Sequence, residues 1–399
     1  MKKIAFVIPW YAEKIPGGAE MELRGVATHL HGRGAEVEIL TTCVKEFASD
    51  WNVNYYREGE DKAHGITVRR FKVRKRDTAA FDAVNYKLIK GMPISPEEEE
   101  VFISESVNSP ELYEYMEKHK EEYSLFVFIP YMFGTTYYGM QVCPEKSVFI
   151  PCFHDEAYVY LEIFKRVFPK AAGMVFNAEP EAVLAERVFR FSESGTKTVT
   201  MGIGMDTDIK PDPDSFRKKY GIDSPFILYA GRKEVGKNVH TLIKYFDEFL
   251  KRNGSDLKLV LIGGGNIDIP KSRIDDKSII DLGFVSAQDK YDACGAAALM
   301  CQPSLYESFS LVIMESWLCG RPVLVSDACE VTKNFARVSA GGLYFKDYFE
   351  FEGCVRYILE HPDVAAQMGE NGRNYVLSHF NWDVIVNKYL EFFEDVIGK

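Results

Sequence analysis

The 399-residue sequence has no run approaching the ~18–20 consecutive apolar residues that cross a bilayer. Its early apolar run, Ile4–Ile8, stops at Pro9 and meets Glu13 and Lys14, with no small-residue cleavage site behind it. Neither a secretory leader nor a membrane span is expected, and the expected location is cytoplasmic. Basic charge is in deficit: 48 Lys and Arg against 59 Asp and Glu leave a formal net charge of −11. That argues against a nucleic-acid partner, whose phosphodiesters call for clustered cations; a small anionic ligand needs only two or three local ones. The 8 cysteines contain no C-x-x-C, since the closest pair, Cys294 and Cys301, is seven apart. Their largely apolar neighbours make them core thiols rather than a zinc or redox site. G-x-G-x-x-G is missing, so nicotinamide-dinucleotide binding has no support, and H-E-x-x-H and G-x-S-x-G are missing too. Asp206-Thr207-Asp208 and Asp212-Pro213-Asp214 have metal-binding D-x-D spacing but fall in a Pro-containing connection. They read as turn residues, and no metal site is expected.

What is present is an α/β rhythm, twice over. Short apolar runs at Ile4–Ile8, Val37–Thr41, Leu125–Ile129, Ser147–Ile150, Gly173–Phe176 and Thr198–Thr200 alternate with helical patterns such as Ala19–Arg33, Glu156–Phe168 and Ala178–Phe189. The rhythm restarts with strands at Phe226–Ala230, Leu257–Ile262, Ala297–Cys301 and Pro322–Ser326, and helices at Asn238–Arg252, Ser308–Cys319 and Phe349–Glu360. Continuous apolar strands between amphipathic helices predict parallel sheets covered on both faces. Asp206–Ser224, with Pro211, Pro213 and Gly221, reads as a linker. The prediction is two doubly wound domains, which bind ligands outside the carboxyl ends of their strands. Six of the eleven residues from Ile66 to Arg76 are Lys or Arg. They read as a solvated strand edge or, more sharply, as a surface for an anionic acceptor or membrane. Pro96–Glu100 opens a polar helix.

Chemistry-bearing residues gather after the predicted strands. Gly231-Arg232-Lys233-Glu234-Val235-Gly236-Lys237-Asn238 fits G-x-x-x-x-G-K but ends in Asn where a P-loop places a magnesium-binding hydroxyl. A glycine turn into a helix start, with Arg232 and Lys237, suits a phosphate; the plain alternative is two solvated cations. Glu307 and Glu315 are eight apart around an apolar stretch, and a helix beginning near Phe309 puts Glu315 two turns inward. Buried carboxylates need partners, and vicinal sugar hydroxyls are suitable ones. His154, with Asp155 and Glu156, ends another strand and reads either as a polar cleft residue or as a satisfied core histidine. Gly17-Gly18 and Gly263-Gly264-Gly265 allow close approach to backbone.

Taken in chain order, these pieces resemble the family-4 retaining glycosyltransferases of the GT-B fold. The motifs are Gly17-Gly18-Ala19-Glu20, His154-Asp155, Ile203-Gly204-Met205-Asp206, Gly231-Arg232 with Lys237-Asn238, Gly263-Gly264-Gly265, Gly283-Phe284-Val285, and Glu307 to Glu315 followed by Gly320-Arg321-Pro322-Val323. The family often has Ser where Asn177 stands. The resemblance implies an acceptor-binding domain 1–205, with a helix in 381–399 crossing back to it, and a donor-binding domain 206–380. It implies that Arg232 and Lys237 hold the diphosphate of a nucleotide-sugar donor in place of a metal. Backbone N–H groups near Gly17 and Gly18 and around Ser310, Leu311 and Val312 complete that cradle. Glu315 would bind the ribose, Glu307 the transferred sugar, and Val285 the base through its backbone, with His154 near the reacting carbon. No cofactor is implied, because the nucleotide sugar is a substrate. The acceptor would be a glycan or lipid-linked sugar in polysaccharide assembly, with peripheral contact at the inner membrane face allowed. Rival readings are a GT-B-fold nucleotide-sugar epimerase and a non-catalytic nucleotide-sugar-binding module.

Overall fold

The computed structural model describes residues 2–15 and 17–398. These divide into two compact units, Met1–Gly204 with Trp382–Lys399, and Met205–Asn381. Met205 and Asn381, assigned from sequence to the first domain, instead pair with each other as a parallel bridge in the second unit.

The first unit carries eight strands: β1 (Lys3–Ile8), β2 (Val37–Thr42), β3 (Gly59–Ala63), β4 (Ile66–Phe71), β5 (Tyr123–Phe128), β6 (Ser147–Phe149), β7 (Gly173–Phe176) and β8 (Lys197–Thr200). Their order is β3-β4-β2-β1-β5-β6-β7-β8, and every pairing is parallel except β3 with β4. The strand order reverses between β1 and β5. The hairpin β3-β4 turns on His64-Gly65, both at positive φ as a two-residue hairpin turn requires. The strand-edge reading of 66–76 covers β4, but β3 was missed because its sequence (Gly-Glu-Asp-Lys-Ala) is almost wholly exposed and charged.

The basic stretch 66–76 is charge-balanced rather than a cationic patch. Arg69 pairs with Glu38 and Glu60, Lys72 with Glu58, and Arg74 with Glu105. Arg70 is buried, donating to the Tyr11 carbonyl at 2.7 Å, and Arg76 lies over the Trp51 and Phe81 rings. The helix expected over 156–168 is likewise broken, into a short turn at Ala157–Tyr160 and a helix at Glu162–Val167. The cause is tertiary: the buried Glu99 carboxylate accepts the Glu162 and Ile163 N–H groups and so fixes a new helix start there.

The helix Trp382–Ile397 belongs to this unit. Its Trp382 ring fills the space over Gly25 and Gly204 and stacks on His29, and Phe392 lies against Gly173. Beside its buried Tyr389 are two buried carboxyls. Glu22 accepts from Asn177 Nδ2 at 3.0 Å and from Cys152 Sγ at 3.6 Å. Glu181 accepts the Phe153 and Asn177 N–H groups, both at 2.6 Å. Burial is the main cause that pushes both carboxyls up to about 8, and for Glu181 the neighbouring Glu22 contributes to that rise. A carboxyl whose folded value exceeds its unfolded 4.5 stabilises the fold most below pH 4.5 and loses that contribution as pH rises towards 8. Glu22→Gln can keep the Asn177 bond while removing the titration. Its thermal midpoint, followed from pH 5 to about 8.5, is expected to fall less steeply than that of the unmodified chain. Parallel slopes would contradict the assignment.

The second unit has β9 (Phe226–Ala230), β10 (Lys258–Ile262), β11 (Ile279–Asp281), β12 (Leu299–Gln302), β13 (Val323–Ser326) and β14 (Gly342–Phe345). All pairings are parallel, in the order β11-β10-β9-β12-β13-β14, the doubly wound arrangement whose switch point lies between β9 and β12. The stretch read as a linker, 206–224, belongs to this unit. Asp212 caps a helix, Pro213–Tyr220, which packs on the helix Ala287–Ala296. Asp212 N–H also bonds Asp292, and Arg217 donates to the Ala296 carbonyl. Pro213 sits in the first helical turn and Gly221 takes the left-handed position after the last, so these residues are helix punctuation rather than linker composition.

Candidate functional site

In the second unit, the loops leaving β9 and β12 flank the switch point, and the structure brings Lys237 and Glu307 together from them. Lys237 Nζ lies 2.7 Å from Glu307 Oε1, which also accepts from Gln302 Nε2 at 3.1 Å. The Leu305 N–H to Gly236 carbonyl bond, 3.0 Å, holds the two loops side by side. Asn238 adopts the left-handed conformation where the chain turns from the short Val235–Lys237 turn into the helix Val239–Asn253. Arg232 is separate from this pair: it is exposed and salt-bridged to Glu234 at 3.1 Å. The cation the sequence reading passed over, Lys233, is buried and reaches the Gly263 carbonyl and Asp281. It ties the β9, β10 and β11 loops together.

Glycines make this packing possible. Gly263 has φ +121°, and a Cβ there would stand 2.1 Å from the Gly231 carbonyl oxygen, so only glycine permits the contact. Gly263 N–H donates to the Gly283 carbonyl at 2.8 Å, which fixes the turn carrying the exposed Phe284 and the partly exposed Val285. Gly17 in the first unit is similarly constrained. Its φ is +152°, and a Cβ would collide with the carboxylate of Glu20, itself hydrogen-bonded by Trp10 Nε1. Gly18 begins the helix Gly18–Gly32 and has open space beside it.

After β12 the helix starts at Leu311, not near Phe309, because Ser310 takes a left-handed φ of +83°. Leu311 and Val312 are partly exposed at its first turn, whereas Ile313 through Leu318 are buried. Glu315 Oε1 pairs with Lys290, a residue on the helix Ala287–Ala296 that the sequence reading did not single out. Burial pushes the Glu315 carboxyl up, and Lys290 opposes that shift. Among the described residues, Gln302 Oε1, Ser304 Oγ, Ser310 Oγ and Glu315 Oε2 are buried without a hydrogen-bond partner. Four such atoms within one short segment mark a polar lining that a ligand or ordered water completes. His154 stands in the first unit after β6, with Nδ1 3.2 Å from Glu156 Oε1. No group of three or more potential metal ligands occurs among the described residues, and no helix there is long and apolar enough to cross a membrane.

Residues 212–375 match the family described as glycosyl transferases group 1. D-inositol 3-phosphate glycosyltransferase of Gordonia bronchialis is 26% identical over 242 residues, 57% of this chain and 53% of that protein. Alpha-D-kanosaminyltransferase of Streptomyces kanamyceticus is 29% identical over 175 residues, 42% and 45% of the two chains. The chain thus spans about half the length of the curated relatives it matches. Among solved structures, sucrose-phosphate synthase from Thermosynechococcus elongatus superposes with a TM-score of 0.72 at 17% identity, covering 99% of both chains. Alr3699/HepE from Anabaena, in complex with UDP-glucose, gives 0.66 at 18% identity, covering 99% of this chain and 100% of that one. The fold is therefore GT-B, and the match to the glycosyl transferases group 1 covers residues 212–375, nearly all of the second unit.

Proposed function

We propose that the chain is a retaining glycosyltransferase that moves a sugar from a nucleotide-diphosphate donor to a glycan or lipid-linked acceptor without a metal. The observation that carries this reading is the Lys237–Glu307 pair at the switch point, beside a segment with four unpartnered buried polar atoms. Lys237 supplies charge for a leaving diphosphate, and the exposed Arg232 is free of burial and able to swing towards the same anion. The N–H groups at Ser310, Leu311 and Val312 open a helix whose dipole favours a phosphate. Glu307 accepts hydroxyls of the transferred sugar, Glu315 those of the ribose, and the Val285 backbone meets the base. Roles for His154, Gly17 and Gly18 rest on the family resemblance. The relatives' names support the class of reaction: several are sugar transferases, and the Anabaena protein is in complex with UDP-glucose.

Calorimetric titration with UDP-, GDP- and ADP-sugars tests the reading. One base series is expected to bind, and EDTA is expected to leave both binding and transfer unchanged. Binding of none would overturn the donor assignment, and lost activity in EDTA would overturn the metal-free mechanism. Isomerised donor formed without acceptor would instead establish an epimerase.

A further inference from the structure

Glu315 is 4% exposed, and an isolated carboxylate at such a depth takes up a proton. A protonated carboxyl is a poor partner for a diol, because it offers a donor where two hydroxyls need acceptors. Lys290 meets Oε1 from the neighbouring helix, while Oε2 is buried and unpartnered. The arrangement therefore occupies one oxygen and leaves the other for a ligand. Titratable neighbours of the pair are Tyr291 and Cys294 on the helix of Lys290, and Cys319 at the end of the helix carrying Glu315. The helix Pro362–His379 also packs on that helix, through Gly369 against Gly320 and Gly372 against Trp317. Lys290 is the charged group acting on Glu315 among the described residues.

We infer that Lys290 is a positioning residue for nucleotide recognition, acting through Glu315 by keeping its carboxylate ionised and turned so that Oε2 accepts a sugar hydroxyl of the bound nucleoside diphosphate. This rests on the functional reading above in taking that diphosphate as the ligand. In the Lys290→Met variant, Glu315 is expected to hold its proton at neutral pH. Dissociation constants for UDP, GDP or ADP, whichever binds the unmodified chain, are then expected to rise at least tenfold at pH 7 and to recover as pH increases. KM for the donor should rise with little change in kcat, and Lys290→Arg should restore both the affinity and the pH profile of the unmodified chain.

The carboxyl ¹³C shift of Glu315 gives a readout that needs no ligand: its titration midpoint should move up in Lys290→Met. An unmoved midpoint, or nucleotide affinity equal to that of the unmodified chain, would overturn the inference. Lys290→Gln, which keeps a donor but no charge, decides on the same two outcomes if the Met variant does not fold. Failure of the unmodified chain to bind any of the three nucleotides would overturn the functional reading instead, and the carbon titration would still decide the role of Lys290.

Discussion

Lys237→Ala is expected to lower transfer at least ~10²-fold, the loss typical of removing one preorganised charge from a developing anion. The geometry adds a second consequence. Lys237 is bonded to Glu307, so removing the lysine also frees a partly buried carboxylate that the same loop junction had held. Glu307→Ala is expected to cost about as much. The double variant should be little worse than either single one, because the two side chains act as a unit. Circular dichroism and thermal midpoints should stay near those of the unmodified chain, since both residues lie in loops outside the cores. Near-normal turnover in both single variants would remove the pair from the site.

Trp317→Ala is expected to cost about 3–5 kcal/mol, the range for emptying a large aromatic from a core. That is a large fraction of the roughly 5–15 kcal/mol by which a domain is usually stable. The indole is fully buried and donates Nε1–H to the Gly341 carbonyl at 2.8 Å. It is packed so closely that a Cβ on Gly372 would come within 2.2 Å of the ring. Glu315 lies two residues before Trp317 on the same short helix, so nucleotide affinity should fall along with stability. Chemical denaturation and calorimetry on the same variant measure both. An unfolding midpoint unchanged within error would contradict the packing argument.

Much of this architecture is legible in the sequence for a simple reason: strands covered on both faces are continuous apolar runs. Phe226–Ala230 and Gly173–Phe176 fall on the observed strands because nothing polar interrupts them. Where burial is partial, the signal fades. β14, Gly-Leu-Tyr-Phe, has two half-buried positions and an exposed Tyr344, and was not anticipated. The same logic separates the site residues. Lys237 and Glu307 stand out because glycine turns and strand ends mark their loops. Lys290 does not, because Gln-Asp-Lys-Tyr reads as a wet helix face and its partner is 25 positions away. Its importance exists only after two helices have packed. The 206–224 segment shows the converse: Pro213 and Gly221 signal a break in isolation, yet with Asp212 they are the start and stop of a helix.

The helix Trp382–Ile397 gives the first unit a discontinuous chain, with the whole of 205–381 inserted before its last element. During synthesis the second unit is therefore complete in the polypeptide while the first still lacks the helix that covers Gly25, Gly173 and Gly204. At ~5–20 residues per second, the interval is tens of seconds after residue 204 is added. Over that time the apolar face awaiting Tyr389, Phe392 and Phe393 stands open on the nascent chain. The later-made unit is thus able to finish folding before the earlier one has its last element.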